Sequence, residues 1–484
     1  MLNYLKNEAT KTYTENGALT YTTSNSDCLD LFFRAGAMRG ASDSTISEVV
    51  LRAYAEDPVR AMKIVFFSRD VRGGLGERRF FRVALKTLAN EHPEAVLRNL
   101  KNIAEYGRYD DLLALLHTPC EEKVLTLICE QILADIGAMD KGDDVSLLAK
   151  WLPSVNTSSE KTRAEAKYLC KKLGMSEKAY RITLSKLRKY IDIIESRLRV
   201  KDYSFDYEHQ TSGAMFKYRK AFDRNDGPRY EEYLNSVNKG EATMHTGTLY
   251  PYEIVRRCYG CDDSERYALD TTWKNLPVYG EGKENYLAVI DGSGSMTWCD
   301  QSVKPLDAAL SLGIYFAEHN KGEFANHFIT FSMHPQLIEI KGRDIVEKVR
   351  YCASYDECAN TDLEAVFDLL LNTAVEHQLP QEEMPARLFI ISDMEFDCVE
   401  GGGSQTLYDT MRNKYADKGY QLPQVVFWNV NSRSKNVPVK IGTAGTALVS
   451  GFTPALFDMM VSGEISPEII MDKAIMSERY AKVS

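Results

Sequence analysis

Three oxygen-bearing loops lie along the C-terminal half of the chain: a D-x-S-x-S turn carrying Asp291, Ser293 and Ser295, then Thr361, then Asp393. A carboxylate and two hydroxyls on one turn can be aimed at a single point. Hard oxygen donors of this kind suit Mg²⁺ or Mn²⁺, which prefer octahedral coordination and keep positions open for water or an outside ligand. Asp, Gly and Ser are also ordinary turn formers, so the turn alone says little. The three loops in this order predict a cation site that a partner completes.

The elements that must position these residues are readable nearby. The apolar run 286–290 ends in the D-x-S-x-S turn, and the apolar run 387–392 ends in Asp393, so both read as buried strands. Thr361, between Asn360 and Asp362, opens the amphipathic run 363–371 and so lies near a helix N-terminus. In an open parallel sheet, ligands gather in the crevice beyond the carboxyl ends of the strands. From 284 onward, strand patterns at 286–290, 327–332, 337–340, 387–392, 424–429 and 447–451 alternate with helical patterns at 305–319, 363–374, 405–415 and 454–461. This alternation predicts a doubly wound, Rossmann-like α/β domain over 284–484.

The N-terminal half has a different rhythm. Between 27 and 198, Ile46, Val49, Val50 and Tyr54 share one helical face, and similar spacings recur at Phe81, Ala84 and Leu88 and over 124–136. Short Gly, Pro and Asp connectors between these runs predict a stacked helical array of the HEAT-like type, although no clean sequence period is present. The expected boundaries are an N-terminal extension at 1–26, the helical module at 27–260, a connector at 261–283 and the α/β domain at 284–484.

Composition bounds the function. The chain has 484 residues, 44% of them hydrophobic, enough for two to four packed domains. No run approaches the roughly 18 apolar residues that cross a bilayer, and the N-terminus lacks a basic region followed by an apolar stretch. A cytoplasmic protein with no membrane partner is expected. The ten cysteines are scattered rather than framed, which fits reduced, buried thiols. Cys258 and Cys261 form the one close pair, without a second pair or His cluster to make a zinc site. Cys299, Cys352, Cys358 and Cys398 lie near the proposed cation loops, but thiolates are poor Mg²⁺ ligands.

The formal net charge of −10 argues against a chain coated in basic charge for nucleic acid. Its distribution is uneven. Between positions 161 and 190, ten Lys or Arg stand against two Glu, an asymmetry that suits phosphate binding and equally suits a solvated helix face.

The three cation loops resemble the metal-ion-dependent adhesion site of von Willebrand factor A domains. In that family the serines and threonine hold the cation, the aspartates stay nearby, and a partner carboxylate fills the open position. Many members carry Asp-Gly at the third loop where this chain has Asp393 and Met394, so a different backbone geometry is expected there. More widely, Arg34 to Gly40, Ser68 to Arg78, Tyr106 to Leu112, Lys150 to Ser154, Asn238 to Gly240 and Ile391 to Asp397 look like landmarks of domain-of-unknown-function family 2828. That family is similar in layout to the Ro autoantigen, a TROVE-type helical-repeat ring joined to a von Willebrand A domain. The resemblance implies binding of small structured or misfolded RNA by the helical module.

Under that resemblance the phosphate contacts are sought at Arg69, Arg72 and Arg78 in the Gly73-Gly74-Leu75-Gly76 loop, and at Lys171, Lys172, Arg181, Lys186, Arg188 and Lys189. Glycines there could bring backbone amides close to a phosphate or simply form a sharp turn. Tyr180 and Tyr190 could stack on bases or pack a core. The resulting expectation is a non-enzymatic RNA-binding protein whose cation site recruits a protein partner bearing an acidic side chain. A protein-only scaffold or co-chaperone is the alternative. No H-E-x-x-H, G-x-S-x-G, P-loop or G-x-G-x-x-G motif points to catalysis.

Overall fold

The computed structural model describes all residues except 2–4, 6–7, 280–284, 299–300, 302, 333, 356–360, 399–404 and 462. Asn360, Cys299 and Cys358 therefore lie outside the described residues. The chain divides into two compact units. The first joins residues 1–80 to 244–481, and the second comprises 81–243 with 482–484. This division differs from the expected boundaries, because the N-terminal 80 residues cluster with the sheet rather than with the helical module.

The first unit is built on six strands: β3 (Tyr286–Asp291), β4 (His327–Phe331), β5 (Leu337–Glu339), β6 (Arg387–Ser392), β7 (Gln424–Asn429) and β8 (Thr446–Ser450). Their order is β5-β4-β3-β6-β7-β8. All neighbours are parallel except β4 and β5, which pair antiparallel. The chain runs outward from β3 in one direction and then returns to place β6 on its other side. The switch point of the sheet thus lies between β3 and β6, at the ends that carry Asp291 and Asp393.

Strand residues alternate between faces, and both faces are covered. On one, Phe316 from the helix Pro305–His319 stacks on Phe457 at 4.0 Å and lies 5.3 Å from both Phe389 and Trp428. On the other, Phe427 meets Phe396, which also meets Phe331. Burial on both sides explains why these strands read as continuous apolar runs.

A small hairpin precedes the helices of this unit. Strands β1 (Lys11–Tyr13) and β2 (Leu19–Tyr21) pair antiparallel, with Tyr13 opposite Leu19. The helix Asp27–Ala35, capped by the Ser26 hydroxyl on Leu29 N, then packs on β8. Its end fits tightly: a Cβ on Gly36 would come within 2.6 Å of the Gly451 backbone. Ser450 Oγ donates to Phe32 O and accepts from Gly36 N, at 3.0 Å each. The Arg34 to Gly40 motif is therefore a docking element for the edge of the sheet.

The second unit is helical. Its longer elements are Glu121–Lys141, Glu160–Lys172, Glu177–Ile191 and Ser212–Asn238, the last kinked at Asp226 two residues before Pro228. Tyr180, Leu184 and Leu187 form a buried stripe at helical spacing. Phe205, Tyr207, Phe222, Tyr230 and Tyr233 make a second aromatic core.

Candidate functional site

Asp291 ends β3 fully buried, and its carboxylate is held on both oxygens. Ser293 N donates to Oδ1 at 2.9 Å, and Ser392 Oγ donates to Oδ2 at 2.6 Å. The Ser293 and Ser295 hydroxyls face each other at 3.0 Å. Asp393, directly after β6, is 2% exposed and lies beside the Ser295 hydroxyl. The structure thus brings Asp291, Ser293, Ser295 and Asp393 to one point at the switch of the sheet.

Two carboxyls so placed disfavour joint ionisation. Burial, reinforced by the Asp393 charge, pushes the Asp291 carboxyl up to about 7. Burial also raises Asp393, against the opposing effects of the Ser295 hydroxyl and the Arg433 guanidinium. A divalent cation would relieve this repulsion, and the donors present are two carboxylates and hydroxyls, the set that hard cations take. Among the described residues no group of three or more His, Cys, Asp or Glu is poised for a metal, so the fit rests on this mixed set.

Thr361 is 2% exposed and sits just before Asp362, which caps the helix Leu363–His377 by accepting from Ala365 N at 2.9 Å. Its hydroxyl lies 2.8 Å from Glu395 O and 2.9 Å from an Asp397 carboxylate oxygen, and accepts from Asn16 Nδ2 at 2.7 Å. Thr361 is therefore tied to the segment that follows Asp393. The backbone there turns through Met394, whose φ of 69° lies in the left-handed region that glycine favours. Met394 thus takes up a conformation that glycine also adopts, so the expected change of backbone geometry does not follow from the sequence departure. Its N–H donates to Ser392 Oγ and its side chain is buried.

Five further residues, Glu15, Asn16, Arg433, Ser434 and Asn436, belong to this crevice, and the sequence alone did not single them out. Glu15 N and Asn436 Nδ2 donate to the Glu395 carboxylate, and Ser434 Oγ donates to it as well. Asn16 Nδ2 also reaches Glu395 O at 2.7 Å. Arg433 contacts Asp393 Oδ2 through Nε at 3.1 Å and Glu15 Oε2 through Nη2 at 3.0 Å. The available signal was Asn16-Gly17 between Tyr13 and Leu19, a hairpin turn pattern. Its distance of some 345 residues from Thr361 hid its role.

The expected phosphate contacts divide between the two units. In the first, Arg69 is buried at the end of the helix Pro58–Arg69, whereas Arg72 and Arg78 are exposed. The glycine loop turns its amides inward: Gly74 N and Gly76 N donate to Asp70 O, and Leu75 N to Phe67 O. A Cβ at Gly74 would sit 2.0 Å from Phe67 O. The loop is a close-packed turn with those amides already used.

In the second unit Lys171, Lys172, Arg181, Lys186 and Lys189 are exposed. Lys172 pairs with Glu121 at 2.7 Å. Arg188 is half-buried and donates to Ala149 O, Leu152 O and Ser154 Oγ, all at 2.7 Å, so it holds a chain bend rather than facing solvent. Tyr180 is 1% exposed and donates to Pro153 O, as a core residue. Tyr190 remains exposed. Cys261 Sγ contacts Cys258 O at 3.5 Å and Cys258 is buried. Among the described residues no helix is long and apolar enough to cross a membrane.

The fold and crevice define a mixed α/β protein with an oxygen-donor site at the switch point of its six-stranded sheet. The chain belongs to the family described as Domain of unknown function (DUF2828), whose model matches residues 14–131 and 122–276, together more than half of its length. A second model, Domain of unknown function (DUF7788), matches residues 285–481. The chain is 28% identical over 499 residues to Uncharacterized protein L728 of Acanthamoeba polyphaga mimivirus, covering 94% of this chain and 85% of that protein. Among solved structures it is similar to the RO (RSR) protein of Deinococcus radiodurans, at 12% identity and a TM-score of 0.36, covering 94% of this chain and all of that one.

Proposed function

We propose that this chain is a binding protein whose first unit is a von Willebrand A-like domain with a cation-dependent site for an acidic partner. The observation that carries this reading is the convergence of Asp291, Ser293, Ser295 and Asp393 in a buried crevice where the sheet reverses direction. When bound, Mg²⁺ or Mn²⁺ would supply a positive centre able to accept an outside carboxylate. The two serines and the two aspartates would hold it, with Thr361 entering from the neighbouring loop. The role of these side chains is to hold and neutralise charge, and the reading assigns them no bond-making chemistry.

The second unit, read as a HEAT-like helical module, is proposed to hold structured or misfolded RNA. Support comes from the exposed Lys171, Arg181, Lys186 and Lys189 on two successive helices, with Tyr190 exposed on the second of them. Exposed lysine and arginine neutralise phosphates and release counterions. A protein scaffold without RNA is the rival, favoured by the overall charge of −10.

Titration of the purified chain with a small RNA bearing a single-stranded tail, at several salt concentrations and with or without EDTA, separates the two. Affinity that falls steeply with salt but survives EDTA supports RNA on the helical unit. No binding at the lowest salt rejects it. Mn²⁺ binding that Asp291→Ala abolishes supports the cation site, and equal binding by both proteins rejects it.

A further inference from the structure

The crevice already contains a carboxylate of the chain's own. Glu15 and Asn16 form the turn of the β1–β2 hairpin, and this turn lies against the candidate cation loops at several points. Asn16 donates to the Thr361 hydroxyl, Glu15 N donates to Glu395, and Thr14 Oγ1 donates to Phe396 O at 2.6 Å. Tyr21 and Val437 exchange backbone hydrogen bonds at 3.2 and 2.8 Å, which ties the hairpin to the loop after β7 as well. The hairpin is thus fixed to the loops that leave β6 and β7.

Arg433 forms a graded path from this interior to solvent. Its Nε meets Asp393, whose side chain is fully buried, and its Nη2 meets Glu15, whose side chain is 56% exposed. Arg433 itself is 34% exposed. Asp393 needs a counter-charge where it is. Glu15 does not, because an exposed carboxylate is well solvated and a surface ion pair contributes little to stability. Guanidinium carries five N–H donors in one plane, so neighbouring nitrogens can each hold a carboxylate. The Nη2 group of Arg433 is therefore an anion-binding position at the mouth of the crevice.

We propose that Arg433 is a recognition residue for the acidic partner, and that Glu15 is its resident intramolecular ligand, which an incoming carboxylate must displace. The proposal rests on the cation-site reading above and adds to it the residue that greets the partner and the segment that competes with it. Arg433 would orient the incoming carboxylate beside the cation, while Asn16 on Thr361 holds the competing turn in place. The Glu15 turn would set the threshold for capture, since binding is weakened by the fraction of molecules in which the site is self-occupied.

The test uses the full chain with Mn²⁺ and acetate. Free Mn²⁺, followed by electron paramagnetic resonance, reports cation binding; the relaxation of acetate methyl protons by bound Mn²⁺ reports a carboxylate beside it. With self-occupancy of about four molecules in five, the upper reach of an exposed ion pair, Glu15→Gln should tighten apparent acetate affinity about fivefold. Glu15→Gln keeps the backbone amide that binds Glu395, so the hairpin retains its anchor. Adding Arg433→Gln to that variant should remove the gain, and Arg433→Lys, which keeps charge without the fork, should recover part of it and serves if the Gln variant fails to fold.

If Mn²⁺ binds and Glu15→Gln relaxes acetate no more than wild type, the proposal is overturned while the cation site stands. Acetate affinity in the Glu15→Gln background that is indifferent to Arg433→Gln and Arg433→Lys overturns it equally. If no Mn²⁺ binds at all, the cation reading itself falls, and the proposal with it.

Discussion

Replacing Asp291 by Asn should stabilise the metal-free protein at pH 8 and destabilise it slightly at pH 4. The folded-state pKa of Asp291 is raised to about 7 from an ordinary 3.8, first by burial and then by Asp393. Its stabilising protonated form is complete below the unfolded value and lost as pH rises through the folded one. Between pH 4 and 7 wild-type stability should therefore fall by about 1.4 kcal/mol per pH unit from this group, reaching about 4 kcal/mol. Asparagine is neutral throughout. It can still accept from Ser293 N and can donate to Ser392 Oγ, at a cost of about 1 to 2 kcal/mol at any pH for fitting an amide to partners arranged around a carboxyl.

The variant should accordingly gain about 2 to 3 kcal/mol over wild type at pH 8 in EDTA, and lose about 1 kcal/mol at pH 4. Urea unfolding followed by tryptophan fluorescence can read this, because Trp428 is buried within the same sheet. Mg²⁺ at 100 times its Kd should stabilise wild type by about 2.7 kcal/mol and leave the variant unchanged. A variant less stable than wild type by one margin at both pH values in EDTA would refute the argument, since the charge would then carry no cost in the fold.

Other perturbations probe the rest of the molecule. Gly74→Ala places a Cβ 2.0 Å from Phe67 O, and should cost about 2 to 4 kcal/mol in urea unfolding without altering Mn²⁺ affinity. Asp70 accepts from Arg72 N, from the Arg479 guanidinium and from Tyr480 Oη at 2.9 Å; Asp70→Ala should lower stability by about 3 kcal/mol or more, seen as a lower urea midpoint. Neutralising Lys171, Arg181, Lys186 and Lys189 one at a time should each reduce the slope of log affinity against log salt by about 0.7 for single-stranded RNA, whereas Arg188→Ala should act on stability through its three lost acceptors.

Much of the strand framework was legible because strands buried on both faces write themselves as continuous apolar runs. The strands Arg387–Ser392 and Gln424–Asn429 match their expected bounds, and the other four agree within a residue. The helix expected at 454–461 is a 3₁₀ helix, Pro454–Met459. Helices Ile345–Ala353 and Pro467–Ile475 were not anticipated, being short and set among mixed residues. Lysine and arginine spacing marked a charged face but could not show that Arg188 turns back onto three oxygens, or that Arg69 is buried.

The sequence by itself determined the family, the alternation of strands and helices from 284 onward, and the order of the oxygen donors at Asp291, Ser293, Ser295, Thr361 and Asp393, because local periodicity and turn chemistry are written in consecutive residues. Only the tertiary structure decided that the first 80 residues cluster with the sheet, that a hairpin turn at Glu15 and Asn16 reaches the crevice, and that Arg433 stands between Asp393 and Glu15. Those contacts join residues hundreds of positions apart, and they arise from burial and charge pairing in three dimensions, which leave no period in the chain.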